Sequence, residues 1–312
     1  MKKILVLIFT CYVALITFAQ EDSKVYMFSY FIGNGEDGLH LAYSKDGFNW
    51  QTLNNNQSFL KPTAGKDKLM RDPCIIKGPD GLFHMVWTVS WNEKGIGYAN
   101  SKDLVHWNEQ QYIPLMENEN ALNCWAPEIN FDAKKNRYII YWATTIPGRY
   151  PQTDSSGDGK YNHRMYYTYT QNFKKFSKPQ ILYNKGFTVI DATIKQDGKR
   201  FVMFLKDETK LPTPQKNIKL AFSKKINKKY TNPTAPITGD YWAEGPTVFQ
   251  KNGKWIVYFD KYRNHSYGAV QSSNLINWED VSSKVNVPKG LRHGTIFEIT
   301  ESEFNQYFNL KK

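Results

Sequence analysis

Cysteine is scarce in this chain of 312 residues: Cys11, Cys74 and Cys124 are the only three. That is too few for a disulfide framework or a thiolate metal cage. Cys74 and Cys124 each fall at the start of an expected strand, and a disulfide or a pair of buried free thiols both remain open. Long apolar runs are as rare. One occurs, residues 4–16, preceded by Lys2-Lys3 and followed by Thr17-Phe18-Ala19. It is shorter than the roughly 20 residues that span a bilayer, and Cys11 lies inside it, where a lipid-modified cysteine would not. We read residues 1–19 as a secretory signal cleaved after Ala19, which predicts a secreted protein, periplasmic or extracellular, without stable membrane insertion. Absent beyond it is any long apolar segment of period 3.6, so helices should be few. Acidic residues are also in deficit, 29 against 41 basic ones, for a formal charge of +12. Removing Lys2 and Lys3 with the signal, which carries no acid, leaves +10. The lysines are scattered rather than gathered in a recognisable module, which excludes nucleic acid as the expected partner. An acidic polysaccharide, an anionic surface or simple solubility fits the charge.

Aromatic residues, in contrast, make up 15% of the chain, with nine Trp and 20 Tyr. Stacked sheets or a carbohydrate cleft would use them. A phrase of Ser, any residue, Asp or a substitute, and then an aromatic recurs five times. It begins at Ser44, Ser101, Thr170, Ser223 and Ser272 and closes on Trp50, Trp107, Phe176, Tyr230 and Trp278. Repeats at such intervals suit one small antiparallel sheet each, which cannot bury its faces alone and stacks on its neighbours. The expected fold is an all-β, five-bladed β-propeller spanning residues 23–312 as one domain. The first repeat lacks a leading strand, and 292–298 reads as a leading strand without a repeat. Pairing the C-terminal strand with the N-terminal hairpin would therefore complete a blade and close the ring. Residues 147–163 form an insertion in the third repeat. Its Asp154 to Asp158 stretch lacks the full calcium-loop ligand spacing and reads as a polar loop able to shape a cleft.

The leading strand of a propeller blade lines the central channel, so the starts of these strands converge. They read Arg71-Asp72-Pro73, Trp125-Ala126-Pro127-Glu128, Ile190-Asp191-Ala192, Glu244-Gly245-Pro246 and Arg292-His293-Gly294. Carboxylates gathered at one point raise one another's pKa and lose hydration, which a purely structural protein gains nothing from. Acid and base chemistry, or a cation, accounts for the cluster. Glycoside hydrolysis with inversion needs such a set: one carboxylate to activate water and one protonated carboxyl for the leaving oxygen.

Taken in order, the five strand starts resemble the motifs of glycoside hydrolase family 43, and the resemblance covers essentially the whole chain after the signal. It implies Asp72 as general base, Glu244 as general acid and Asp191 as the residue that orients the acid and raises its pKa. His293 is similar to a family histidine that faces a structural calcium ion in the channel. Trp125 would stack on a sugar ring, Arg71 and Arg292 would bind sugar hydroxyls or hold the carboxylates, and Glu128 would support the cleft or pair with a nearby Arg rather than catalyse. Unlike most members, this chain places a hairpin before the base-bearing blade. The expectation is an inverting hydrolase acting on a plant-type poly- or oligosaccharide, releasing α-L-arabinofuranosyl or β-D-xylosyl units, with galactosyl or galactofuranosyl as a further choice. The alternative is a propeller that binds glycan without turnover. A retaining enzyme would need a nucleophilic Asp in the strand at 26–30, which has none.

Overall fold

The computed structural model describes residues 23–308, so the signal segment, Cys11 and the last four residues lie outside it. The strands form five antiparallel sheets arranged as blades. In chain order, the second blade runs Arg71–Lys77, Phe83–Thr88, Ile96–Ser101 and Gln111–Ile113, from the channel outward. The third runs Trp125–Asp132, Arg137–Thr144, Arg164–Thr170 and Gln180–Tyr183. The fifth runs Glu244–Lys251, Lys254–Lys261, Ser266–Ser272 and Glu279–Asp280. The first blade is assembled from both ends of the chain: Thr295–Thr300 is innermost and pairs antiparallel with Lys24–Tyr30, Ser29 opposite Thr295 and Lys24 opposite Thr300.

The fourth blade has three strands, Val189–Asp197, Arg200–Asp207 and Asn217–Ser223. Its outer edge is covered by irregular chain, with Thr231, Thr234 and Ile237 donating to the carbonyls of Phe222, Leu220 and Ile218. Pro233 and Pro236 interrupt that segment, and a proline supplies no donor to a ladder.

Second strands are apolar almost throughout because both of their faces are buried against neighbouring blades. In Arg137–Thr144, Ile140 and Trp142 join the cluster with Val86 of the second blade, while Ile139 and Tyr141 join the one with Met203 of the fourth. Five such clusters fill the five seams. Cys74 and Cys124 share one of them as buried free thiols. Among the described residues helix is confined to Glu301–Phe308 and three short 3-10 turns, and no helix is long and apolar enough to cross a membrane.

The recurring Ser-x-Asp phrase is a turn that caps itself. Ser101 Oγ accepts from the Leu104 amide at 2.9 Å, and Asp103 Oδ1 accepts from the amides of Val105 and His106 at 2.9 and 2.7 Å. The same pattern recurs at Ser44/Asp46, Thr170/Asn172 and Ser272/Asn274. The residue three after the Ser or Thr then takes a positive φ: Gly47, Leu104, Phe173 and Leu275. Ser101→Ala removes this acceptor and the 2.7 Å bond to the His106 carbonyl. It should lower stability by about 1–2 kcal/mol, read from chemical denaturation, while leaving the far side of the blade unchanged.

Candidate active site

Four innermost strands share one irregularity at their starts. Register skips between Arg71 and Cys74, Trp125 and Glu128, Ile190 and Thr193, and Glu244 and Thr247. The second residue of each skip is left-handed: Asp72, Ala126, Asp191 and Gly245 have φ of 52°, 45°, 50° and 58°. Asp is among the side chains that tolerate this region best, though a non-glycine residue held there still costs on the order of 1–3 kcal/mol. The bulge breaks the ladder and re-aims a side chain at the end of the channel. At Gly245 a side chain is excluded for a second reason, since a Cβ would lie 2.4 Å from the His293 ring.

These strand starts enclose a pocket of about 280 Å³ lined by Asp72, Asp191 and Glu244 together with Arg71, Trp125, Arg292 and His293. Asp72 accepts from Thr88 Oγ1 at 2.8 Å and faces His293 Nδ1 at 3.2 Å. Thr88 Oγ1 in turn accepts the Ala126 amide at 2.8 Å, which leaves its own proton for Asp72. Asp191 Oδ2 accepts from the Gly245 amide at 3.0 Å, tying the fourth blade to the fifth. Glu244 meets Lys206 Nζ at 3.0 Å and Arg292 Nη2 at 3.4 Å. Arg292 also donates from Nε to Asp260 at 2.7 Å. Arg71 donates to Asn34 at 2.8 Å with its guanidinium between the rings of Phe31 and Trp91. Trp125 packs with Tyr161 and Trp91 at 4.6 and 5.4 Å, making one wall aromatic. The insertion at 147–163 supplies Asp158, Tyr161 and His163 to the same pocket.

Burial pushes every carboxyl here upward, and the neighbouring cations decide the outcome. For Asp72 the His293 imidazolium, Arg71 and the Thr88 hydroxyl outweigh burial and hold it below the usual carboxylate range. For Glu244, Lys206, Arg292 and His293 do the same. Asp191 stays raised, to about 6, because burial and the adjacent Glu244 and Asp72 charges exceed what His293 and Lys206 return. Burial would lower His293, but Asp72, Asp191 and Glu128 raise it to about 9.

Glu128 is not brought to the pocket. The strand start Trp125-Ala126-Pro127 aligns with Arg71-Asp72-Pro73, so Glu128 occupies the place of Cys74, Thr193, Thr247 and Thr295, two residues further down the channel. There it accepts from Thr193 Oγ1 at 3.0 Å and Thr295 Oγ1 at 3.2 Å, and it borders a second cavity at the opposite mouth. Burial raises its pKa. A calcium ion wants about six to eight oxygen ligands. Among the described residues no three His, Cys, Asp or Glu side chains are grouped to hold a metal, and His293 is a cation facing Asp72. The resemblance implies an ion held beside His293 largely through waters rather than by a side-chain cage, and no step below passes through one.

Sequence reasoning missed Lys206, Glu208, Asp260 and Thr88. Thr88 ends its second strand and Lys206 and Asp260 stand one residue before the end of theirs, and antiparallel register sets Thr88 opposite Arg71, Lys206 opposite Ile190 and Asp260 opposite Glu244. A charged residue closing an apolar run, as in Phe204-Leu205-Lys206 and Tyr258-Phe259-Asp260, was the available signal.

A family model described as a probable glycosyl hydrolase domain, related to family 43, matches residues 21–305. The chain belongs to the family-43-related glycosyl hydrolases. A curated α-L-arabinofuranosidase of Bifidobacterium longum is 24% identical over 199 residues, 56% of this chain. The match spans only 18% of that longer relative. Among solved structures, α-L-arabinofuranosidase from Lactobacillus brevis superposes with a TM-score of 0.53 at 20% identity, covering 68% of this chain and 72% of that one. A family-43 β-1,3-galactosidase gives 0.52 at 13%, covering 71% and 79%. These structural likenesses establish the five-bladed fold.

With a folded-state pKa above the ordinary 6.5, the stability His293 contributes is full below pH 6.5 and is lost as pH rises through about 9. A histidine ring NMR titration should accordingly find one imidazole, absent in His293→Gln, that stays protonated past pH 8. A midpoint near 6.5 would contradict the assignment.

Proposed function

We propose that this chain is an inverting glycoside hydrolase that removes a terminal pentose, α-L-arabinofuranosyl or β-D-xylosyl, from a plant-type poly- or oligosaccharide. What carries the reading is three carboxyls of unlike proton affinity on one small pocket with an aromatic wall. A galactosyl or galactofuranosyl unit is the next choice, supported by the likeness to a β-1,3-galactosidase. Export after cleavage at Ala19 belongs to the same proposal, since such polymers lie outside the cell.

Asp72, held ionised, takes a proton from water as the water oxygen bonds to the anomeric carbon. The glycosidic C–O bond breaks on the opposite face, and its electron pair goes to the leaving oxygen, which is protonated by the acid. Asp191 and Glu244 act here as a coupled pair. In the free site the pair's proton rests on Asp191, because Lys206 and Arg292 favour ionised Glu244. Catalysis by Glu244 then requires that proton to pass to it once a sugar covers the pocket and the leaving oxygen lies against it. The downward push of Lys206 and Arg292 on Glu244 also favours a glycan-binding propeller without turnover, so the two readings are separated by experiment.

A panel of nitrophenyl glycosides with the product anomer followed by NMR tests the reaction. An inverted pentose is expected; glycan binding with no product across the panel would replace the hydrolase with the binder. Asp72→Asn and Glu244→Gln should each reduce turnover by several orders of magnitude with the fold intact. Activity needs Asp72 ionised and one proton on the pair. The rate should therefore fall as pH rises through about 6 and fall on the acid side only below the ordinary aspartate range.

A further inference from the structure

Beneath the pocket an ion chain runs from Glu244 to the inserted loop. Lys206, 2% exposed, lies 3.0 Å from Glu244 Oε2 and 2.6 Å from Glu208 Oε2. Glu208 Oε1 meets Lys216 Nζ at 2.5 Å, and Lys216, fully buried, meets Asp158 Oδ2 at 2.7 Å. Lys210 closes the chain on Asp158 Oδ1 at 2.5 Å. The loop is pinned at the same place by backbone, as the amides of Lys210 and Leu211 both donate to the Ser156 carbonyl. Three cations alternate with three anions. A lysine as deeply buried as Lys206 or Lys216 is retained only with its anions in place, so removing one member unbalances the rest.

We propose that Lys206 is a positioning residue for Glu244, held by Glu208 and through Lys216 by Asp158, so that the loop forming the pocket wall also governs how the Asp191–Glu244 pair shares its proton. This deepens the hydrolase reading and rests on it for its catalytic meaning. The other groups facing the pair are Arg292, His293, Asp72, Asp260 and Tyr262. His163, near Lys206 and Lys216, is held neutral, at about 3, by burial and by those cations. None of these residues is replaced in the variants below, and of them Tyr262 and His163 also feel the outer chain, through Glu208 and Lys216.

The test is a carbon-13 NMR titration of the carboxyl groups in the full-length protein labelled at Asp and Glu, with Asp191 and Glu244 assigned by Asp191→Asn and Glu244→Gln. Lys206→Met removes a cation from the pair and should move its midpoints up by about one pH unit or more. Glu208→Gln removes an anion from Lys206 and should move them down, and Lys206→Arg should restore the wild-type values to within a few tenths. Opposite shifts in the first two variants support the proposal, and with an active substrate the alkaline limb of kcat/KM should follow them. Midpoints that stay put, or that move the same way in both, overturn it. Because the titration needs no substrate, an enzyme silent on every glycoside would remove the hydrolase reading while leaving this result to stand or fall alone. Should Lys206→Met not fold, Glu208→Gln against Lys206→Arg still decides the direction.

Discussion

Clustered carboxylates in a water-poor pocket repel one another, and the site exists because buried cations are built in among them. His293 is the central one, 6% exposed and facing Asp72, Asp191 and Glu128 from the segment just before the closing strand of the ring. The backbone beside it packs tightly, since Gly294 approaches the Ser29 carbonyl so closely that a Cβ would lie at 1.8 Å. Gly245 leaves room for its ring on the other side. Lys206 and Arg292 complete the set from the fourth blade and from the closing segment. Each cation favours a particular carboxylate, and the unequal distribution is what pushes Asp191 up while holding Asp72 and Glu244 down.

Backbone geometry does the aiming. A regular innermost strand would point alternate residues along the channel wall; the register skip with one left-handed residue turns Asp72 and Asp191 toward the mouth instead. In the fifth blade the left-handed place is taken by Gly245, and the carboxyl comes from the residue before it. One structural device thus presents functional groups from two different positions. Pro73, Pro127 and Pro246 follow the bulged residue, where no ladder donor is required. The rim of the pocket is added from outside the repeat by the insertion at 147–163, which the charge chain through Lys216 and Lys206 connects to Glu244.

Much of this was legible in the residues. The turn phrase is local, with Ser and Asp side chains bonding amides two or three residues on in four blades, and in the fourth blade Ser223 alone accepts, from the Lys225 amide. The strand-start motifs are local too, and they led to Asp72, Asp191, Glu244, Arg71, Arg292, Trp125 and His293, all of which line the pocket. Glu128 shows where such reading stops. Read as part of a strand start, it was expected to support the cleft, but alignment on the bulge moves it two residues along, one layer deeper, to hydroxyls of Thr193 and Thr295. Lys206 and Asp260 carry only the weak signal of a charge closing an apolar run, because their partners are across a strand pair, separated from them in sequence by 16 or more residues.

The sequence by itself determined the all-β class, the five blades and the family, because turn capping, apolar runs and bulge motifs are short-range and repeat. Tertiary structure alone decided which carboxyls are pushed up and which are held down. That depends on distances between groups from different blades: His293 to Asp72 at 3.2 Å, Lys206 to Glu244 at 3.0 Å, Arg292 to Asp260 at 2.7 Å. In a buried pocket the strength of each such pair varies steeply with separation and hydration. Neither quantity is written in the order of the residues.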